Sequence, residues 1–239
     1  SLLDEWSTLT TLQFHLRVYC VASGALKAYV YDRILALFAP VPYTSPETDE
    51  DDRNIDLGPH LTNTSLQTEL GEEHVRLFNE LVGRRILSGD TERVFEQADL
   101  DSIIAQISEV MGETFKAAVD SPIHFQVRHP ATRFSLLSFD VCQPVPNAFE
   151  LYGVDFLVAD NGGNEGEGRF QVKLLEINSE PAIELTGPRL TWILEDLFKS
   201  IAEKCIDPFF SPIDQSDWLV GETRSNFRKC LDIETRSWD

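Results

Sequence analysis

The stretch KLLEINSEPA, residues 173–182, starts as an apolar strand and finishes in polar side chains. Side chains alternate between the two faces of a strand, so Glu176 and Asn178 are predicted to point the same way. Two interpretations follow from this pattern. The polar residues either end the strand at a solvent-facing edge, where Asn178 begins a turn, or they hold a ligand.

A second strand upstream supplies a partner. AFELYGVDFLVAD (148–160) and RFQVKLLEIN (169–178) predict a hairpin joined by NGGNEGEG (161–168). This Gly-rich connection lacks the lysine-containing pattern of a phosphate loop, and we interpret it as a flexible hairpin tip. A roughly symmetric hairpin brings Asp155 opposite residue 174 or 176.

Asp155, Glu176 and Asn178 thus offer two carboxylates and an amide oxygen at one end of a predicted sheet. Two buried carboxylates repel each other unless a cation lies between them. Oxygen ligands of this kind suit Mg²⁺, which is typically held by one or two carboxylates together with phosphate oxygens and water. The pattern predicts a magnesium–nucleotide site, and edge charges facing solvent are the alternative.

The N-terminal third of the chain also predicts strands. LQFHLRVYCVAS (12–23) and KAYVYDRILALFA (27–39) read as two strands with Ser23–Gly24 as the turn. The segment 40–59 is rich in proline and acidic residues, which is typical of a solvated loop.

Two helices are predicted between these strands and the hairpin. Apolar residues over 75–86 have helical spacing. Asp101 is predicted to cap a second helix, SIIAQISEVMGETFKAAV, which Pro122 ends.

GPRLTWILEDLFKSIAEKC (187–205) is the clearest predicted helix, with Pro208 ending it. The polar tail 211–239 follows. The predicted buried face of the helix comprises Leu190, Ile193, Leu194, Leu197, Phe198, Ile201 and Cys205.

Composition limits the class of protein. The chain has 239 residues, 42% of them apolar, which is enough for one good-sized core. Its formal net charge of −20 argues against a nucleic-acid partner, because phosphate contacts need clustered cations. No apolar run is long enough to cross a membrane, so no membrane partner is expected.

The start of the chain and its cysteines give two further expectations. Ser1 opens what reads as structured sequence, without a signal-peptide pattern, so the chain is expected to be a fragment. The cysteines are scattered without metal-site spacing, which predicts reduced thiols in a cytoplasmic protein. They are Cys20, Cys142, Cys205 and Cys230.

HLTN at 60–63 is a second candidate site. Thr62 and Asn63 can hydrogen-bond a ribose or a phosphate, and His60 can stack or donate. An Asx or Ser/Thr turn is the alternative interpretation of the same residues.

Four segments together resemble a known family. They are FHLRVYCVAS (14–23), HLTN (60–63), FELYGVDFLV (149–158) and KLLEINSEPA (173–182), in this order. The set resembles the tubulin–tyrosine ligase-like family of ATP-grasp ligases, and YDRILALFA is most similar to its fungal branch. That branch includes a protein associated with mRNA-processing bodies.

The resemblance implies an α+β fold: the C-terminal part of an ATP-grasp unit, with a mostly antiparallel sheet flanked by helices. This portion is expected over 1–210, with 211–239 as a C-terminal extension of the same domain. The family's upstream segments, whose lysines bind the α- and β-phosphates, are absent from the chain.

The resemblance also implies roles for individual residues and the cofactors ATP and Mg²⁺. Asp155, Glu176 and Asn178 match the magnesium ligands on the ATP phosphates. Arg17 matches the arginine of an F-D-I-R strand near the phosphates and the acceptor carboxylate. The segment matching the family's nucleotide contacts comprises His60, Leu61, Thr62 and Asn63.

In this family's chemistry, a carboxylate attacks the γ-phosphate of ATP and an amine then displaces phosphate from the acyl phosphate. The implied acceptor is tubulin or another protein. Two departures from the pattern stand out. His15 replaces an aspartate, and the position of an arginine that holds the amino acid falls near Ala36, with Arg33 displaced from it. The alternative is therefore a non-catalytic binding module in an mRNA-decapping assembly.

Overall fold

The computed structural model describes residues 12–44, 62, 74–88, 91–120, 147–161, 169–181, 183, 187–210 and 218–233. Its strands are β1 Leu12–Ser23, β2 Lys27–Tyr31, β3 Leu35–Pro42, β4 Val75–Leu77, β5 Arg85–Ser88, β6 Thr91–Val94, β7 Phe149–Asp160, β8 Phe170–Asn178, β9 Thr223–Arg224 and β10 Phe227–Asp232. Its helices are α1 Gln97–Asp120, α2 Gly187–Ile201 and α3 Asp207–Phe210, with a 3₁₀ turn at Phe78–Leu81 and a π-helical turn at Ala202–Ile206.

Strand β1 is the centre of an eight-stranded sheet. It pairs with β7 along one edge and with β2 and β3 along the other. β8 extends the sheet beyond β7, while β4 pairs with β3 and β10 with β2. All these pairings are antiparallel, which confirms the expected architecture.

A long helix packs on each face of this sheet. α1 packs on the face that carries Leu16 and Val18 of β1, which we call the α1 face. α2 packs on the opposite face, which carries Tyr19 and Val21 and which we call the α2 face. The apolar cluster under α2 includes Leu151 of β7, only partly buried, and no described residue of β8. The β7–β8 end of the α2 face is therefore left outside the packing of α2.

The strand predicted over 27–39 is interrupted. Its two halves, β2 and β3, both pair with β1, but the register changes between them: Cys20 pairs with Val30, and Phe14 pairs with Phe38. The residues between Tyr31 and Leu35 take up this shift.

The helix predicted over 75–86 is wrong. The segment forms β4, the 3₁₀ turn and the start of β5. β4 hydrogen-bonds to β3, and Gly83 has a φ of +81°, which a helix does not accommodate. Pairing with a strand distant in sequence outweighed the helical spacing of the apolar residues.

Helix α1 starts earlier than predicted. The backbone N–H of Glu96 donates to Asp99 Oδ2 at 2.9 Å, so Asp99 supplies the carboxylate of the first turn. Asp101 lies inside the helix and accepts a hydrogen bond from Gln97 Nε2 at 2.8 Å. The prediction of Asp101 as the cap is therefore wrong, whereas the helix does end before Pro122.

Helix α2 buries most of the predicted stripe. Leu190, Ile193, Leu197, Ile201 and Cys205 are buried against the sheet. Phe198 was assigned to this face wrongly, because 49% of it is exposed.

The helical run continues past the predicted end. Pro208 lies in the first turn of α3, where a missing N–H costs little, so the prediction that it ends the helix is wrong. Among the described helices, none combines the length and apolar character needed to cross a membrane.

The tail contributes to the core. β10 pairs with β2, and Phe227 is fully buried. Trp218 stacks on Tyr29 with ring centroids 5.0 Å apart. Residues of the predicted extension therefore complete the sheet and the packing under α2.

A pair of variants in α2 tests this packing. We expect Ile193→Ala to lower the free energy of unfolding by about 2–5 kcal/mol, because it opens a cavity at a fully buried position. Phe198→Ala, on the same helix, should change it by about 0.5 kcal/mol or less. Chemical denaturation of both variants measures the difference, and equal losses would contradict the assigned orientation of α2.

Candidate functional site

A β-bulge lies in β8 next to the predicted metal ligands. Asp155 of β7 pairs directly with Glu176, whereas the next residue, Phe156, pairs with Leu174. Leu175 is thus an extra residue without a cross-strand partner, and its side chain is 54% exposed. Bulges of this kind redirect the side chains that follow them.

The bulge changes which face of the sheet the end of β8 presents. Val172 and Leu174 pack against the core on the α1 face, and beyond the bulge Ile177 takes that role. Glu176 and Asn178 therefore lie on the α2 face, which Asp155 also occupies. The amide Nδ2 of Asn178 donates to Glu176 Oε1 at 3.0 Å, which confirms that the two side chains point the same way.

Arg17 pairs with Asp155 across β1 and β7. Its Nε donates to Asp155 Oδ1 at 2.5 Å and its Nη2 to Oδ2 at 3.1 Å, a two-pronged contact that fixes the carboxylate. Burial lowers the pKa of Arg17, but the hydrogen bond and charge of Asp155 outweigh that effect and raise it overall. Arg17 therefore remains a fixed cation beside the carboxylate.

The two carboxylates differ in their surroundings. Asp155 is 7% exposed and neutralised by Arg17, whereas Glu176 is exposed. The premise that both carboxylates are buried is therefore corrected, because Glu176 is exposed and Arg17 already balances the buried Asp155. Glu176 lies on the open side of the site.

His15 links Thr62, from the HLTN sequence, to the same place. Its Nδ1 lies 2.6 Å from Thr62 Oγ1, and its Nε2 lies 3.7 Å from Asp155 Oδ1. Burial lowers the pKa of His15, and the charge of Asp155 opposes this only in part, so the ring is neutral at pH 7. Of the predicted nucleotide contacts, His60, Leu61 and Asn63 lie outside the described residues.

Gly153 leaves room for Pro181, which follows β8, to pack close to the site. A Cβ on Gly153 would lie 2.7 Å from Pro181 Cβ and 3.7 Å from Arg17 Cδ. The glycine of FELYGVDF and the proline of KLLEINSEPA are therefore packed against each other. Sequence reasoning missed this contact, although a glycine two residues before Asp155 in a strand signals a close approach.

Ala36 lies on the far side of the sheet from the site. It is fully buried on the α1 face, opposite to the face that carries Asp155. Its neighbours Leu35 and Leu37 pair with Arg17 and His15, respectively, and lie on the α2 face. Ala36 itself therefore faces away from the site, and the placement of a lost substrate arginine near this position stays a prediction.

Arg33 belongs to a different cluster. Its Nη2 donates to Asn226 Oδ1 at 3.4 Å, and its Nε lies 3.9 Å from Asp196 Oδ2 of α2. Tyr31 donates to the same carboxylate at 2.7 Å. Arg33 thus helps to hold α2 and the turn before β10 on the sheet.

The oxygen donors fit Mg²⁺. Within the part of the chain that the structure describes, no group of three or more His, Cys, Asp and Glu side chains forms a metal cage. An amide oxygen, Asn178 Oδ1, would have to complete a set of three oxygen donors with the two carboxylates, and it points to this role because Nδ2 is the atom that donates to Glu176. Each carboxylate oxygen has two lone pairs, so Asp155 can accept from Arg17 and still contact a cation.

Comparison with solved structures defines the class of protein. The crystal structure of the C-terminal domain from K. lactis Pby1, an ATP-grasp enzyme interacting with the mRNA decapping enzyme Dcp2, matches this chain with a TM-score of 0.58 and 26% sequence identity. The match covers 95% of this chain and 52% of that one. The mostly antiparallel sheet is thus that of an ATP-grasp enzyme.

Comparison with protein families gives the family itself. Residues 8–214 match the Tubulin-tyrosine ligase family, and the chain belongs to that family. Relatives from two yeasts confirm the resemblance to its fungal branch.

The relatives are longer than this chain. "Probable tubulin--tyrosine ligase PBY1" of Saccharomyces cerevisiae is 32% identical over 234 residues, which are 97% of this chain and 26% of that protein. "Probable tubulin--tyrosine ligase C12B10.04" of Schizosaccharomyces pombe is 34% identical over 201 residues, 83% of this chain and 39% of that protein. "Tubulin polyglutamylase ttll-4" of Caenorhabditis elegans is 24% identical over 237 residues, which are 97% of this chain and 35% of that protein. The chain spans less than half of each.

The contact between Gly153 and Pro181 yields a prediction. Gly153→Ala should weaken Mn²⁺–nucleotide binding by about tenfold or more, because the new methyl group pushes Pro181, and with it the end of β8, away from Asp155. Electron paramagnetic resonance of Mn²⁺ measures the affinity. Gly112→Ala is the matched control: its Cβ would lie 2.6 Å from the carbonyl oxygen of Cys230, on the α1 face. Equal effects on metal binding would contradict the specific role of Gly153.

Proposed function

We propose that this chain carries the metal-binding side of an ATP- and Mg²⁺-dependent carboxylate–amine ligase, which adds an amino acid to a protein acceptor in the cytoplasm. The observation that carries the proposal is the placement of Asp155, Glu176 and Asn178 on one face at the end of β7 and β8, beside Arg17. Names of relatives as tubulin-modifying enzymes support tubulin or another protein as the acceptor.

Asp155, Glu176 and Asn178 are the residues that would hold Mg²⁺. The ion, when bound, supplies positive charge to the phosphate oxygens of ATP. Arg17 adds a charge that the protein itself fixes, since both of its contacts to Asp155 orient the guanidinium. Such preorganised charges are most effective where negative charge develops during phosphoryl transfer.

The proposed reaction has two steps. A carboxylate oxygen of the acceptor attacks the γ-phosphorus of ATP, the bond to the bridging oxygen breaks, and ADP leaves. The amine nitrogen of the second substrate then attacks the acyl carbon, and phosphate leaves as the amide bond forms. Arg17 keeps its charge through both steps, because its pKa lies above the ordinary value.

An exposed lysine lies on the same face. Lys173 pairs with Leu157, two positions along β7 from Asp155, and is exposed. Together with Arg17, it supplies positive charge at the edge of the carboxylate pair in a chain whose formal net charge is −20. A cation here favours the approach of ATP phosphates or an acidic acceptor.

A non-catalytic ATP-grasp-like module in an mRNA-decapping assembly is the second candidate. The K. lactis protein with the matching fold interacts with the decapping enzyme Dcp2. In addition, β3 presents Leu37 rather than a cation beside His15, so this described strand offers no partner for a substrate carboxylate at that position.

Substitution of the two carboxylates tests the metal site. In the full-length protein, Glu176→Gln should weaken binding of Mg²⁺–ATP by about tenfold or more, because a charged ligand is lost from an exposed position that the fold does not need. Asp155→Asn should do the same and also lower stability, because buried Arg17 loses its partner. Isothermal titration calorimetry measures the affinities.

Glu150→Gln is the control, since Glu150 is an exposed carboxylate on the same strand that bonds only locally to Tyr152. Unchanged affinity in Glu176→Gln and Asp155→Asn would remove the basis of the proposal. Transfer of a labelled amino acid to tubulin or to total cell protein then separates the two candidates: binding without transfer favours the module.

A further inference from the structure

His15 connects two parts of the site that are 93 residues apart in the sequence, Thr62 and Asp155. The imidazole is 6% exposed and lies on β1 between Leu37 of β3 and Leu157 of β7. The ring is nearly buried, and in the described part of the chain its two nitrogens face Thr62 and Asp155.

The partners of the ring define its tautomer. Asp155 and Arg17 are joined as an ion pair, and a carboxylate facing Nε2 can only accept a proton, which places the hydrogen on Nε2. Nδ1 is then an acceptor, and the Thr62 hydroxyl donates to it across 2.6 Å. The distance from Nε2 to Asp155 Oδ1 is 3.7 Å, which is too long for a hydrogen bond. The ring and the carboxylate therefore interact only electrostatically.

We propose that His15 is a positioning residue that tethers Thr62 to the metal-binding face, so that Thr62 and the carboxylates meet in one geometry. This inference rests on the proposed function and deepens it. The tether consists of one partly buried hydrogen bond, and it adds no charge, unlike the aspartate of the resembling motif. The net charge of the cluster is therefore set by Arg17, Asp155 and Glu176.

Five variants of the full-length protein test the tether: His15→Leu, His15→Asn, His15→Gln, Thr62→Val and the double variant His15→Leu with Thr62→Val. The probe is the ATP analogue AMPPNP with Mg²⁺, titrated by calorimetry. His15→Leu and Thr62→Val should each weaken binding about tenfold, since each removes the same hydrogen bond. The double variant should bind no more weakly than the poorer single variant, because the effects are coupled.

His15→Asn and His15→Gln distinguish the effect of the hydrogen bond to Thr62 from the effect of a polar group near Asp155. The amide oxygen of His15→Asn occupies about the place of Nδ1 and can accept from Thr62, so it should restore affinity to within about threefold of the wild type. In His15→Gln, the amide group extends towards Asp155 instead of Thr62, so this variant should not restore affinity. Additive effects of His15→Leu and Thr62→Val, or no effect of either, would overturn the proposal.

Amide hydrogen exchange gives a readout that does not depend on nucleotide. Without ligand, the amide of Thr62 should exchange faster in His15→Leu than in the wild type, while amides of β7 keep their protection. Unchanged exchange at Thr62 would overturn the tether. If the wild type fails to bind AMPPNP but Thr62 still exchanges faster, the proposed function fails and the tether stands.

Discussion

A single extra residue in β8 decides which side of the sheet the polar end of the hairpin faces. Leu175 has no cross-strand partner, so Glu176 and Asn178 move away from the face that β8 shares with α1. Without the bulge, a carboxylate and an amide would be directed at the apolar contact with α1, where they lack partners and their burial is costly. Exposing the side chain of Leu175 to solvent costs far less free energy. Every proposed role of this site depends on the bulge, which exposes Leu175 and keeps Glu176 and Asn178 off the α1 face.

Beside this hairpin, β1 supplies the residue that neutralises Asp155 and the residue that holds Thr62 in place. Arg17 neutralises the buried carboxylate of Asp155, and His15, two residues away on the same face of β1, holds Thr62 against it. Gly153 leaves room for the chain after β8 to pack close to Arg17. Alternation along β1 therefore serves two purposes: one set of side chains builds the core under α1, and the other builds the site at His15 and Arg17 and the packing under α2 at Tyr19 and Val21.

Local patterns were enough to predict the hairpin, the helix over 187–205 and the common direction of Glu176 and Asn178, because each depends on a short repeating period. Local patterns were not enough where pairing between segments distant in sequence determines the secondary structure. Residues 75–86 have helical spacing, but Val75–Leu77 pair with β3, and the break that separates β2 from β3 is visible only in their pairing with β1. The bulge shifts the apolar alternation of β8 by one residue, from Val172 and Leu174 to Ile177, and the sequence reasoning did not use the Leu174–Leu175 doublet that marks it.

The central claim is that the carboxylates of β7 and β8 bind a divalent cation together with nucleotide phosphates. Anomalous diffraction from crystals of the full-length protein grown with Mn²⁺ and AMPPNP tests this directly. We predict a manganese peak about 2 Å from carboxylate oxygens of Asp155 and Glu176, with Asn178 Oδ1 in the same coordination shell. A metal–nucleotide complex bound elsewhere, with Asp155 contacting only Arg17 and His15, would contradict the account.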